Sequence, residues 1–262
     1  MTAHQIPVGD GPSHRLRGRV AIVTGASRGI GLAIAERLVA DGARVCITAR
    51  KADALADAVE ALGGHENAIF SAGAADDEAH QAAAVAATLE AFGRVDFLVN
   101  NTGINPTFGR MIDVDLGAAE KTFRVNVISS IAWAQKVYHA WMGEHGGAIV
   151  NVASVAGLKP APGIGVYGAS KSGVIHVTEE LAVELGPNIR VNAVAPAVVK
   201  TKFAAALYEG KEDEVSAAYP LKRLGVPGDV GSVVAFLLSE DAAWVTGQTL
   251  TIDGGLLLTG GV

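Results

Sequence analysis

Seven short apolar runs, rich in Val and Ile and mostly bounded by Gly or Asn, punctuate the chain at 19–24, 44–49, 67–71, 95–100, 147–153, 189–195 and 248–252. Such runs, without polar alternation, are the pattern of strands buried on both faces. Between them, apolar residues at three- and four-residue spacing predict helices near 30–41, 52–61, 76–92, 117–142, 166–185 and 228–239. Alternation of strand and helix implies parallel strands joined by right-handed crossovers, an α/β architecture. Two helix boundaries have a visible cause. Asp76, Asp77 and Glu78 place negative charge at the positive end of one helix dipole before that helix stops at Gly93, and the 166–185 helix stops at Gly186 with Pro187 behind it. The alanine-dense stretch 52–91 keeps charges between apolar positions, so it reads as strong helix formers rather than low complexity. The segment 197–220 fits no strand, carries the charged run EGKEDE and is expected to form a substrate lid.

With 262 residues and one glycine fingerprint, the chain is expected to form one domain over 16–262 behind a loose tail at 1–15. That tail lacks the apolar stretch of about 7–15 residues that a signal peptide needs. Half of the residues are hydrophobic and 18% are charged, which is far from a disordered composition. A net charge of −6 and a pI near 5.6 supply no basic surface for nucleic acid, so none is expected as a partner. Cys46 is the single cysteine and forms no intrachain disulfide, consistent with a reducing cytoplasm. No apolar run reaches the length of about 18 residues that a membrane span requires, so no membrane partner is expected. The seven histidines show no ligand spacing and no cysteine pair exists, so no metal site is expected; His4, His14, His65 and His80 read as surface residues.

The segment TGASRGIG, Thr24 to Gly31, follows the apolar run Val20 to Val23 and precedes the helix-forming LAIAERLVA. A strand, a tight turn and a helix in that order leave backbone N–H groups at the helix start pointing outward, which suits the pyrophosphate of a dinucleotide. Gly25, Ser27, Arg28, Gly29, Ile30 and Gly31 are therefore candidate cofactor contacts. A glycine turn alone serves a close strand–helix contact equally well. Charge adds information: an NAD site usually places an acid at the end of the second strand, whereas this chain has Thr48, Ala49 and Arg50 there. Arg28 and Arg50 together offer two guanidinium forks to one phosphate, which predicts NADP(H).

Tyr167 and Lys171 lie four residues apart, and Ser154 precedes the tyrosine by thirteen. A phenol with a pKa near 10 needs a downward shift of about 3 units, about 4 kcal/mol, to work near neutral pH. Residues at i and i+4 share a helix face with Cβ atoms about 5–6 Å apart. At about 5 Å and an effective dielectric of about 20, one ammonium supplies about 3 kcal/mol, and a positive nicotinamide covers the remainder. Ser154 lies in NVASVAG rather than GxSxG, so it does not read as an esterase nucleophile.

The spacing of Gly25, Gly29 and Gly31, NNTG at Asn100 to Gly103, Asn126, Ser154 and YGASK at 167 to 171, in this order, resembles the short-chain dehydrogenase/reductase family from about Arg17 to Gly255. The resemblance implies a Rossmann-type, doubly wound domain with a seven-stranded parallel sheet of order 3-2-1-4-5-6-7 and helices on both faces. It implies a homotetramer built through the 117–142 and 166–185 helices. It implies hydride transfer to a carbonyl carbon with Tyr167 protonating the oxygen, Ser154 holding it, and Asn126 holding a water that leads protons from Lys171 to solvent. It adds Asn101, Gly103, Pro196, Val199 and Thr201, with Tyr167 and Lys171 themselves, to the cofactor contacts. Three residues depart from the family pattern: Thr102 stands in place of alanine, Ala197 in place of glycine, and Gly73 in place of an aspartate that meets the adenine.

The segments after Gly103, Ser154 and Pro196 offer Ile104, Pro106, Phe108, Leu158, Pro160, Pro162, Ile164, Phe203, Leu207 and Tyr208, which suit a hydrophobic ketone or acyl chain. The overall pattern resembles bacterial 3-oxoacyl-carrier-protein reductases, which makes reduction of a 3-oxoacyl thioester or a hydrophobic ketone the leading expectation, whereas NPTF after NNTGI and PAPG before Tyr167 resemble NADP-dependent carbonyl reductases or alcohol dehydrogenases acting on free ketones, the alternative. Glu179, Glu180 and Glu184, with no arginine before Arg190, count against docking of an acidic acyl carrier protein on that helix. A dinucleotide-binding sensor without turnover is the rival from another class, and the intact Ser, Tyr and Lys set disfavours it.

Overall fold

The computed structural model describes residues 15–259. The loose tail expected at 1–15 lies outside these residues except for Arg15, whose guanidinium meets Asp241 at 2.8 Å. Seven strands follow the seven apolar runs closely: β1 Val20–Thr24, β2 Arg44–Ala49, β3 Ala68–Ala72, β4 Phe97–Asn100, β5 Gly147–Val152, β6 Ile189–Pro196 and β7 Thr249–Ile252. They form one sheet in the order β3-β2-β1-β4-β5-β6-β7 with every pair parallel, as expected. The helices are α1 Gly29–Ala40, α2 Ala52–Ala61, α3 Glu78–Phe92, α4 Leu116–Phe123, α5 Ser129–Val137, α6 Gly143–His145, α7 Gly165–Leu185, α8 Ala205–Tyr208, α9 Glu212–Ala217 and α10 Pro227–Leu238.

The five inner strands are buried along almost their whole length because helices cover both faces, while the edge strands β3 and β7 are mostly half-buried. The two-residue period divides every strand except β7 between cores on the two faces. Ala21 and Val23 of β1 face Ile34, Leu38, Leu55 and Val234, whereas Ile22 faces Val85, Trp133, Val137 and Met142. Arg190 of β6 ties the sheet to α10: its guanidinium donates to the carbonyls of Leu237 at 2.7 Å, Ser239 at 3.0 Å and Leu238 at 3.3 Å. Those carbonyls lie at the helix end, where intrahelical partners run out.

The stretch 117–142 is not one uniform helix. Its backbone widens at Arg124–Ile128 and again at Tyr138–Met142 into turns with i→i+5 bonding. Ser129 and Ser130 hydroxyls donate to the carbonyls of Val125 at 2.6 Å and Val127 at 2.7 Å around the first of these turns. The segment 197–220 contains α8 and α9, and Lys200 meets Glu212 across it at 2.9 Å.

His80 is buried rather than at the surface. It lies in the first turn of α3 on the side facing β3, where its ring meets Trp133 edge-on at 5.9 Å, so the sheet rather than water receives it. His65 is exposed, and His4 and His14 lie outside the described residues. Burial pushes the Cys46 thiol up to about 11, leaving it unreactive. Among the described residues no helix is long and apolar enough to cross a membrane.

Arg190→Met should remove the three short bonds to the end of α10. Hydrogen bonds from a charged donor are worth about 1.5–3 kcal/mol, and for a chain of this size each kcal/mol moves the melting temperature by about 2–4 °C. Thermal circular dichroism should show a fall of roughly 4–10 °C; an unchanged midpoint would mean that solvent replaces the guanidinium without loss.

Candidate active site

A cleft of about 1410 Å³ opens across the carboxyl ends of the strands. Its floor at one end is the turn between β1 and α1. Gly25, Ser27, Arg28, Gly29, Ile30 and Gly31 all line it, with Gly25 at φ +64° and Gly29 at φ +60°, a backbone region that favours glycine. Gly31 admits no side chain: a Cβ there would lie 2.5 Å from the Gly25 carbonyl oxygen and 2.8 Å from the Ala26 Cα. The start of α1 is thereby packed directly onto the turn, with its N-terminus toward the cleft.

Asn101 locks this turn to β4. Its side-chain amide donates to the carbonyls of Thr24 at 2.8 Å and Gly25 at 3.1 Å, while the Thr24 hydroxyl accepts the N–H groups of Asn101 and Thr102, both at 3.0 Å. Arg28 and Arg50 are exposed in the same cleft, and Lys51 stands beside them. Pro196, Val199 and Thr201 line the opposite wall, and Thr201 reaches back over Gly29.

Ser154 sits just beyond β5, Tyr167 in the first turn of α7 and Lys171 one turn later, so all three side chains enter the cleft from two neighbouring elements. The Lys171 ammonium lies 5.7 Å from the centre of the Tyr167 ring, as i,i+4 spacing requires. It does not donate to the phenol. It donates to the Val152 carbonyl at 2.6 Å, and burial pulls its pKa down to about 8. Burial pushes Tyr167 up to about 12, with the Ser154 hydroxyl acting in the opposite direction. Burial thus acts on the phenol against the downward shift expected from lysine and a positive nicotinamide together, and the Lys171 ammonium is turned to a carbonyl.

Asn126 occupies the first widened turn, behind Gly103. Its Oδ1 accepts the Ile104 N–H at 2.8 Å, and its Nδ2 donates to the Ile104 carbonyl at 3.0 Å and to the Ser170 hydroxyl at 2.9 Å. Ser170 in turn donates to the Tyr167 carbonyl at 2.7 Å. Both amide hydrogens are engaged, so the side chain ties the loop after β4 to the helix carrying Tyr167. A Cβ on Gly103 would stand 3.2 Å from Lys171 Nζ and 3.6 Å from Asn126 Oδ1, which places all three residues together.

The apolar part of the cleft includes Ile104, Pro106, Phe108, Pro160, Ile164, Phe203 and Leu207, with the Phe203 ring 6.3 Å from that of Tyr167. Leu158, Pro162 and Tyr208 do not contribute to the wall. Ser170 and the C-terminal residues Leu256, Leu257 and Thr259 were not identifiable from motif spacing, yet the last three line the cleft. Asp253 accepts the N–H groups of Gly255 at 2.9 Å and Leu257 at 2.8 Å and so folds that segment inward. A short Asp-Gly-Gly turn before three leucines was the only signal available. Among the described residues no group of three His, Cys, Asp or Glu side chains is placed to hold a metal ion.

A hydroxyl, a phenol and an ammonium at one end of an apolar cleft, whose other end is a glycine turn at a helix N-terminus, can orient a carbonyl oxygen and exchange a proton with it. Residues 25–257 match the family model described as Enoyl-(Acyl carrier protein) reductase. The chain is 40% identical over 250 residues to Dehydrogenase/reductase SDR family member 4 of Caenorhabditis elegans, covering 92% of this chain and 96% of the relative. The Homo sapiens protein of the same name is 38% identical over 247 residues, covering 92% and 88%. The crystal structure of Short-chain dehydrogenase/reductase SDR:Glucose/ribitol dehydrogenase from Brucella melitensis superposes with a TM-score of 0.88 at 32% identity, covering 93% of this chain and 98% of that one. Sequence, sheet order and the grouping of these side chains agree, and the chain belongs to the short-chain dehydrogenase/reductase family of oxidoreductases.

Proposed function

We propose that this enzyme transfers hydride between NADP(H) and the carbonyl group of a free hydrophobic ketone, with the corresponding secondary alcohol as the partner species. The observation that carries the reading is the meeting of Ser154, Tyr167 and Lys171 in an apolar cleft whose other end holds the glycine turn with Arg28 and Arg50. The turn fits a dinucleotide: Gly31 excludes even a methyl group, and the positive end of α1 faces the place of the pyrophosphate. A bound nicotinamide dinucleotide supplies the hydride.

The chain's own residues do the rest. Arg28 and Arg50 bind the 2′-phosphate through charge-assisted hydrogen bonds. The Ser154 hydroxyl donates to the substrate oxygen, an interaction that strengthens as negative charge grows there. Tyr167 is kept protonated by burial, the form that reduction needs, and its hydroxyl gives the proton. Lys171, turning its ammonium from Val152 toward the phenol, lowers the cost of the phenolate left behind. Asn126 and Ser170 hold α7 against the loop after β4 while this happens. Residues 197–220 act as a lid that brings Phe203 and Leu207 over the substrate.

An acyl thioester on an acidic carrier protein is the weaker reading, because Glu179, Glu180 and Glu184 are exposed on α7. The assembly that fits best is a homotetramer joined through α4–α5 and α7, where Leu116 and Val183 are 79% and 82% exposed. A single cysteine, with no intrachain disulfide to form, fits a reducing cytoplasm as the compartment.

Tyr167→Phe should bind NADPH with unchanged affinity while turnover over a ketone panel falls by about 10²–10⁴. A wild type that binds NADPH yet reduces nothing on that panel would favour the dinucleotide sensor instead.

Replacing Arg28 and Arg50 together by alanine should weaken NADPH binding by about 10–100-fold and leave NADH binding almost unchanged. Equal loss for both cofactors would contradict the 2′-phosphate role.

Lys171 titrates at 10.5 by reference and at about 8 in the fold, so between these values the unfolded chain binds more protons. The penalty for its charge is complete below pH 8 and is relieved as pH rises to 10.5. The melting-temperature difference between Lys171→Met and wild type should therefore move in favour of wild type across that window. A difference that stays constant with pH would show that Lys171 is not desolvated.

A further inference from the structure

The cleft wall contains seven basic residues, Arg28, Arg50, Lys51, Lys121, Lys159, Lys171 and Lys202, and a single acid, Asp76. A site for a polyanion has no electrostatic use for that carboxylate near the phosphates. Asp76 lies beyond Arg50, where the wall consists of Gly73 to Asp76 and Lys121 of α4. On the NADP(H) reading above, this end receives the adenine.

Adenine carries an exocyclic amine, a hydrogen-bond donor, so recognising it requires an acceptor. Few acceptors remain here. Gly73 carries no side chain, and a Cβ on it would fall on the His80 ring. The Ala74 carbonyl already accepts the Asp77 N–H at 3.1 Å. The Ala75 carbonyl accepts the Gln81 amide at 2.8 Å and the Trp133 indole N–H at 3.1 Å. The Asp76 side chain, only 13% exposed, is held by Lys121 Nζ on Oδ2 at 2.6 Å and also meets its own backbone N–H, and no other described residue donates to Oδ1, which keeps a lone pair for a ligand. The hydrogen bond from Lys121 also holds its pKa below the usual carboxylate value, so it stays an acceptor.

We propose that Asp76, positioned by Lys121, accepts the 6-amino group of the cofactor's adenine and makes the site selective for a 6-amino purine. The probe is reduced nicotinamide hypoxanthine dinucleotide phosphate, in which an oxygen replaces that amine and would face the carboxylate. Binding of it and of NADPH, followed by cofactor fluorescence without substrate, separates recognition from turnover. Wild type should prefer NADPH by about tenfold or more. Asp76→Ala should weaken NADPH by about tenfold and leave the analogue unchanged, so the preference disappears; Lys121→Met should reduce it in part. Equal weakening of both cofactors by Asp76→Ala would mark a structural role and overturn the proposal. So would a wild type that binds both equally. A wild type that binds neither NADPH nor the analogue would instead overturn the cofactor reading on which this one rests.

Discussion

The reversal of winding at β1 is the constraint from which the site follows. β1 lies between β2 and β4, so α1 and the helices after β4 leave toward opposite faces, as the two cores on either side of the sheet record. Where the chain parts in two directions, the carboxyl ends of β1 and β4 cannot both be covered, and a crevice opens. Asn101 and Thr24 hold that parting closed at its base, and Gly31 lets α1 approach until its first N–H groups face the opening. Each functional group named here is placed by one of the elements that borders this crevice.

Electrostatics along the cleft change character from end to end. The end at the glycine turn is rich in cations near solvent, where charge is cheap to keep. The chemical end is buried, and burial acts on Tyr167 and Lys171 in opposite directions: both are pushed toward their neutral forms. On the proposed mechanism the neutral phenol is the form that gives the proton, and the Lys171 ammonium is the charge that steadies the phenolate left behind. The site therefore depends less on one fixed ion pair than on a balance between desolvation and the polar groups around it.

The fold was largely legible because buried parallel strands and their covering helices leave periodic signals in the chain. The run at 67–71 became Ala68–Ala72 and that at 189–195 became Ile189–Pro196, shifts of a residue. Periodicity did not reveal the widened turn at Arg124–Ile128, since the one extra residue of a π-turn offsets the apolar spacing by a single position, no more than the ordinary alternation of three and four. His80 was misplaced for a related reason: one histidine in the first turn of an alanine-rich helix gives no sign of which side faces the sheet.

Spacing along the chain by itself determined where the strands and helices lie, the glycine turn and the i,i+4 relation of Tyr167 to Lys171, all of which rest on local backbone geometry, whereas the strand order was expected only from the family resemblance. Only the tertiary structure decided what those side chains touch. The partner of Lys171 is a carbonyl nineteen residues away on β5, Asn126 clasps Ile104 and Ser170, and the C-terminal leucines fold back into the cleft. Hydrogen bonds and desolvation are set by whatever neighbours the packed chain supplies, and those neighbours come from elements far apart in sequence.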